Sequence, residues 1–335
     1  NIPLIKFLIK NGVKVTARDK RSLEEISSNP AFDKTITVSE NVRFVTGENY
    51  LKNIKEDPYR SIRRLADLGR QFAKGRFQEE LFSLFQRLLL NEDGPYYEML
   101  KQLVSSVDTD SLKTLGINIG YNSWTCGASR LRQITAEKDY PHWLAEISLS
   151  PESSASQLKE QLSAALKNGT YAFRLHMPAQ SITTDTRQLG LIREFPDCSF
   201  FLDFMDTDCT YSDDLLELTC SCDNLAFLVP FGSLQSRQLV DLLNARQRIY
   251  GVCRTYDNTN AAERISDSQI SEMLSWGSPL LFFLAAADTT QDNRLLVDNA
   301  ILDARLHQTY PALLIHLGAD VARIQQLLLS SRKNL

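Results

Sequence analysis

Seven short apolar runs recur between residues 143 and 317, separated by segments of helical length, and this alternation constrains the fold more than any other feature. The runs are Trp143–Leu149, Tyr171–Met177, Ser199–Phe204, Leu225–Phe231, Ile249–Tyr256, Pro279–Ala286 and Ala312–Leu317. Amphipathic stretches such as Ser156–Asn168 and Gln235–Arg248 lie between them. A strand buried on both faces reads as a continuous apolar run, and a helix between successive strands returns the chain to the same end of the sheet. The expected class is α/β: a parallel sheet, either open or closed into a partial (β/α) barrel.

Composition excludes several function classes. The 335 residues suffice for a sizeable core and two or three domains. Hydrophobic residues make up 43% and charged residues 23%, as in ordinary soluble globular proteins. A formal charge of −4 gives no sign of a nucleic-acid partner. No apolar run reaches the roughly 18 residues of a membrane span. Nor does a charged-then-apolar secretory signal open the chain, which begins at Asn1 inside a helical pattern and implies an upstream piece. The cysteines, Cys126, Cys198, Cys209, Cys220, Cys222 and Cys253, are too sparse for a disulfide framework. Free thiols in a reducing, cytoplasmic compartment are expected, with no membrane partner.

Residues 1–57 read as one unit. Asn1–Lys10 has helical spacing and stops at Asn11-Gly12, a helix C-cap signal. A short strand, Val13–Ala17, ends at Asp19-Lys20-Arg21; Ser22 then caps a helix, and Val42–Val45 is a second strand. Helix, strand, helix, strand is the latter part of a Rossmann-like unit. The strings NIPLIKFLIKNGVKVTARDKRSLEEI and VRFVTGENYLKNI resemble the N-terminal domain of UDP-N-acetylmuramoylalanine–D-glutamate ligase. That resemblance implies a UDP-sugar site in which Asp19, Lys20 and Arg21 hold the uracil end. Read by themselves, the three residues also suit a plain turn. The ligase family continues into a P-loop domain, but no G-x-x-x-x-G-K-[ST] occurs anywhere here. Only a fragment of an ATP-dependent peptidoglycan ligase is therefore implied.

Residues 58–114 form a helical lead-in. Arg60, Arg63, Arg64, Arg70, Lys74 and Arg76 stand on one side of Pro58–Leu90, with Ile62, Leu65, Leu68 and Phe72 at helical spacing on the other. Leu115–Arg132 (LGINIGYNSWTCGASRLR) is a polar-aromatic stretch that suits a loop closing one end of the sheet, with Asn122 and Trp124 as candidate ligand contacts. This lead-in, the string Gly116–Arg132 (GxNxGYNSWTxGAxxxR) and the βα units that follow resemble radical S-adenosylmethionine proteins, whose fold is a partial (β/α)6 barrel. Those enzymes carry CxxxCxxC after the first strand to hold a [4Fe–4S] cluster. Here Leu149–Ala155 contains no cysteine. The resemblance therefore implies a degenerate barrel over residues 115–335 without its cluster: an accessory or regulatory protein with no cofactor or metal expected. Its partner would be an active relative or a small-molecule ligand.

In such folds the site lies at the C-terminal ends of the strands. Glu146, Arg174, His176, Asp203 and Arg254 occupy alternate positions within apolar runs, so a curled sheet is expected to turn them inward together. Buried charge requires pairing, so Arg174 or Arg254 should pair with Glu146 or Asp203. Two outcomes stay open: an anion-binding cavity, or an ion-pair network within the core. Tyr256 is a further ligand candidate. His176, Asp203 and His316 are the catalytic candidates, with the histidines as general bases.

Overall fold

The chain divides into two compact units, residues 1–53 and 54–335. The computed structural model describes residues 93–134, 141–149, 154–177, 186–204 and 213–330, with four isolated positions before them (63, 83, 86 and 91). The expectations for Asp19, Lys20 and Arg21, for most of the 58–90 helix, and for Cys209 lie outside the described residues.

All seven apolar runs become strands of one sheet. These are β1 (Leu144–Ser148), β2 (Ala172–Met177), β3 (Ser199–Phe204), β4 (Leu225–Pro230), β5 (Tyr250–Tyr256), β6 (Leu280–Ala285) and β7 (Leu313–His316). Every neighbouring pair is parallel and the order follows the sequence, so the strands form a curled half-barrel with β1 and β7 at its edges. Between them run helices of the expected kind. The first, α4 (Ala155–Lys167), opens with a capping box between Ser154 and Gln157. The Ser233 side chain accepts from Ser236 N at the start of α7 (Leu234–Ala245). The others are α5 (Thr186–Gly190), α6 (Asp213–Cys220), α8 (Ala261–Arg264), α9 (Asp267–Leu274), α10 (Gln291–His307) and α11 (Leu317–Ser330).

Strand side chains alternate between two layers. Phe173, Phe200, Phe227, Val252 and Phe283 are fully buried against the helices. The opposite parity, including Leu228, Cys253 and Phe282, forms a second core on the concave face. Phe282 lies so close over β5 that a Cβ on Gly251 would stand 2.2 Å from its ring. In a closed barrel, further strands would cover this core. Here α11 does so: Val321 packs with the concave cluster and Leu328 with Trp143 and Leu144.

The lead-in comprises α1 (Pro95–Ser106), α2 (Thr109–Ile117), a π-helix (Asn118–Gly127) and α3 (Ala128–Ile134). The stretch expected as a loop over 115–132 is thus helical, with a ten-residue π segment. It does close one end of the sheet, and that end is the N-terminal one. The Asn118 amide donates to Pro196 O and Cys198 O just before β3, and Gln102 donates to Gly277 O before β6. Gly127 is pressed against the loop before β2, where an added Cβ would lie 2.3 Å from Gly169 O.

Candidate functional site

Alternation along β1, β2 and β3 brings four polar side chains together on the concave face. Register pairs Glu146 with Arg174 and His176 with Asp203. Arg174 donates through Nε and Nη2 to Asp203 Oδ2 at 3.0 and 2.5 Å, and through Nη1 to Glu146 Oε1 at 3.0 Å. His176 sits between the same two acids. Its Nδ1 is 3.2 Å from Asp203 Oδ2, outside hydrogen-bond alignment, and its Nε2 is 3.5 Å from Glu146 Oε2. Contact with Asp203 and then Glu146 raises the His176 pKa above its ordinary value. Contact with His176, reinforced by Arg174, holds the Glu146 carboxyl at about 2. Two cations are therefore matched by two carboxylates. Asp203 is buried, whereas the Glu146 side chain is 54% exposed. The outcome is an ion-pair network whose surplus capacity on the open side is carboxylate, not an unmet positive charge.

Arg254 does not join this cluster. Along β5 it alternates with Cys253, which faces the concave core, so Arg254 turns to the helical layer. There its guanidinium lies 4.7 Å from the centre of the Phe231 ring and 3.9 Å from Glu272 of α9. The five expected inward charges are thus four, because register within β5 puts Arg254 on the other parity. Asn122 and Trp124 are also apart, at the N-terminal end. Asn122 donates to Asn118 Oδ1 and Asp197 O, and Trp124 packs edge-on to Trp143 at 5.8 Å.

A second network stands at the far edge of the sheet. Tyr256 O–H lies 2.6 Å from His316 Nε2, and His316 Nδ1 lies 3.2 Å from Asp298 Oδ1 on α10. A proton on Nδ1 would face the Asp298 carboxylate, and in that tautomer Nε2 accepts from the tyrosine. Burial pushes the Tyr256 phenol up to about 12. Arg323 bridges Asp298 and Asp320, and Arg305 also pairs with Asp320. Asp298, Arg305 and Arg323 escaped sequence reasoning because a charged helix position ordinarily faces solvent, whereas Asp320 was legible beside His316 at the end of the last apolar run. The one available signal was Asp298 beside Val297, at the border of the face of α10 that the core covers.

A cavity of about 340 Å³ opens between the two networks at the C-terminal end of the sheet. Glu146 and Arg174 line it from one side, and Arg294, Asp298 and His316 from the other. The first turn of α11 (Leu317, Gly318 and Ala319) and the apolar Leu284 and Leu295 complete its wall. Among the described residues, no group of three or more His, Cys, Asp or Glu side chains is arranged to hold a metal ion. The described cysteines are free.

The chain matches no protein-family model and no curated protein. Among solved structures it is similar to a member of the enolase superfamily from Listeria innocua, at 15% identity and a TM-score of 0.34. The alignment covers 85% of this chain and 67% of that one. Similarity at that level has no bearing on activity. The class of protein is therefore defined by strand order alone: an all-parallel α/β half-barrel with a polar cavity at its C-terminal mouth. Among the described residues, no helix is long and apolar enough to cross a membrane.

Proposed function

We propose that the half-barrel is a non-catalytic, ligand-binding accessory protein that takes a small molecule in the cavity between β1–β2 and β6–β7. The cavity itself carries this reading. It has a fixed polar wall at the end of a parallel sheet where such folds place their ligands, and a volume suited to a small organic molecule. A binding role without catalysis is supported by the state of the two histidines. His176 is held between two carboxylates, and His316 between Tyr256 and Asp298. A general base needs a nitrogen aimed at its substrate; both nitrogens of His316 are taken by protein groups, and His176 Nδ1 is buried against Asp203.

The sequence resemblances add two ligands to be tested: S-adenosylmethionine for the barrel, and a UDP-sugar for residues 1–57 through Asp19, Lys20 and Arg21. They also add a partner, an active relative of the barrel. Thermal-shift screening of the full chain against these two compounds, nucleotides, small carboxylates and amines tests the reading. A ligand that stabilises the wild type and is lost in Gly318→Phe supports it. That substitution enters the cavity wall where an added Cβ meets nothing within 4 Å. A screen without any such ligand leaves the cavity a solvent cleft.

A further inference from the structure

The polar groups on the cavity wall differ in what they have left to offer. Arg174 spends Nε, Nη1 and Nη2 on carboxylates. Asp298 spends one oxygen on His316 and the other on Arg323. Two groups remain. Glu146 is half exposed and gives Oε1 to Arg174, while its Oε2 lies 3.5 Å from His176. A carboxylate has about four acceptor sites, so Glu146 retains capacity.

Arg294, on the opposite side, is held by backbone alone. Its Nε donates to Thr289 O at 2.9 Å, and its Nη2 to Ala286 O at 2.9 Å and Ala287 O at 3.3 Å. These bonds orient the guanidinium without neutralising it. Among the described residues no carboxylate pairs with it, and its Nη1 hydrogens have no acceptor. A partly buried arginine fixed by three carbonyls and lacking a counter-ion is poised for an anion supplied from outside. The cavity thus has a carboxylate at one end and an unneutralised guanidinium at the other.

We infer that the cavity binds a small zwitterion of amino-acid size, with its carboxylate on Arg294 and its ammonium on Glu146. The inference rests on the cavity being a binding site and names the class of ligand. About 340 Å³ is at the small end of ligand pockets, which suits an amino acid better than a nucleotide. Leu284 and Leu295 give a side chain an apolar wall.

Calorimetric titration of the full chain with free amino acids of both hands, and with their N-acetyl and C-amide derivatives, tests it. At least one free amino acid should bind. Either derivative should bind about tenfold or more weakly, because each leaves one charged group of the site, Glu146 or Arg294, without its partner. Arg294→Gln and Glu146→Gln should each weaken the free amino acid to a similar degree, and Arg294→Lys should restore part of the loss. Three results overturn the inference: no amino acid binds, the N-acetyl derivative binds as well as its parent, or Arg294→Gln leaves affinity unchanged. If a simple carboxylate binds as tightly as the amino acid and is lost in Gly318→Phe, the zwitterion fails while the binding site stands.

Discussion

Among single residues, the sharpest asymmetry lies between Asp203 and Glu146. Both pair with Arg174, but Asp203 is buried whereas Glu146 is half exposed. Removing Arg174 strands a charge in the core, so Arg174→Ala should cost about 3–5 kcal/mol in urea denaturation. Glu146→Gln loses an interaction that water largely screens and should cost under about 1 kcal/mol. The double variant Arg174→Met, Asp203→Leu removes both buried charges and should recover much of the Arg174→Ala loss. The cluster also sets a pH window. Above 6.5 an unfolded histidine is neutral while folded His176 keeps its proton, so the folded state binds more protons. Stability therefore falls as pH rises from 6.5 through the raised folded pKa. Glu146 behaves oppositely: its folded pKa is about 2 against 4.5, so stability falls as pH drops from 4.5 towards 2. Urea midpoints across pH should be highest between these limits. His176→Gln should lose the alkaline fall, and an unchanged profile in that variant would assign the fall to another group.

Among the elements, the strands were legible and the register was not. Phe200, Leu202 and Phe204 alternate with Phe201 and Asp203, and both layers are buried, so hydrophobicity alone gives the strand but not its inward parity. Chemistry resolved β2 and β3, because Arg174 and Asp203 need each other. It misled on β5, because Arg254 found a helix-side partner in Glu272 and an aromatic face in Phe231. The clue was Gly251, which makes room for the Phe282 ring and so marks the concave parity of β5. The π-helix was read as a loop because its glycines and asparagines are poor helix formers. One of those glycines has a packing role. Gly127→Ala would push a methyl against Gly169 O, and overpacking of this kind should cost about 1–3 kcal/mol by thermal or urea unfolding. Gly116→Ala, where an added Cβ meets nothing within 4 Å, should be neutral or slightly stabilising.

At the scale of the whole molecule, the parallel sheet leaves two edges, and β1 and β7 are not joined by a strand among the described residues. The last helix takes over that task. Trp143 N donates to Gln325 Oε1 at 2.9 Å, Trp143 Nε1 to Val321 O at 3.0 Å, and Arg132 Nη1 to Leu328 O at 2.7 Å. These contacts tie the start of the sheet to the end of the chain across 178 to 196 residues. Leu317, Val321 and Leu328 bury their faces where a closed barrel would have further strands. Removing residues 317–335 should therefore do more than fray a terminus. It uncovers Leu228, Cys253 and Phe282 on the concave face, so the product should bind a hydrophobic dye and lose its cooperative unfolding transition. Removing residues 1–53 takes away a separate compact unit and should leave the barrel transition in place. Helix α11 would then be part of the barrel wall, and a truncated chain that still unfolds cooperatively without dye binding would show the seven strands to be sufficient by themselves.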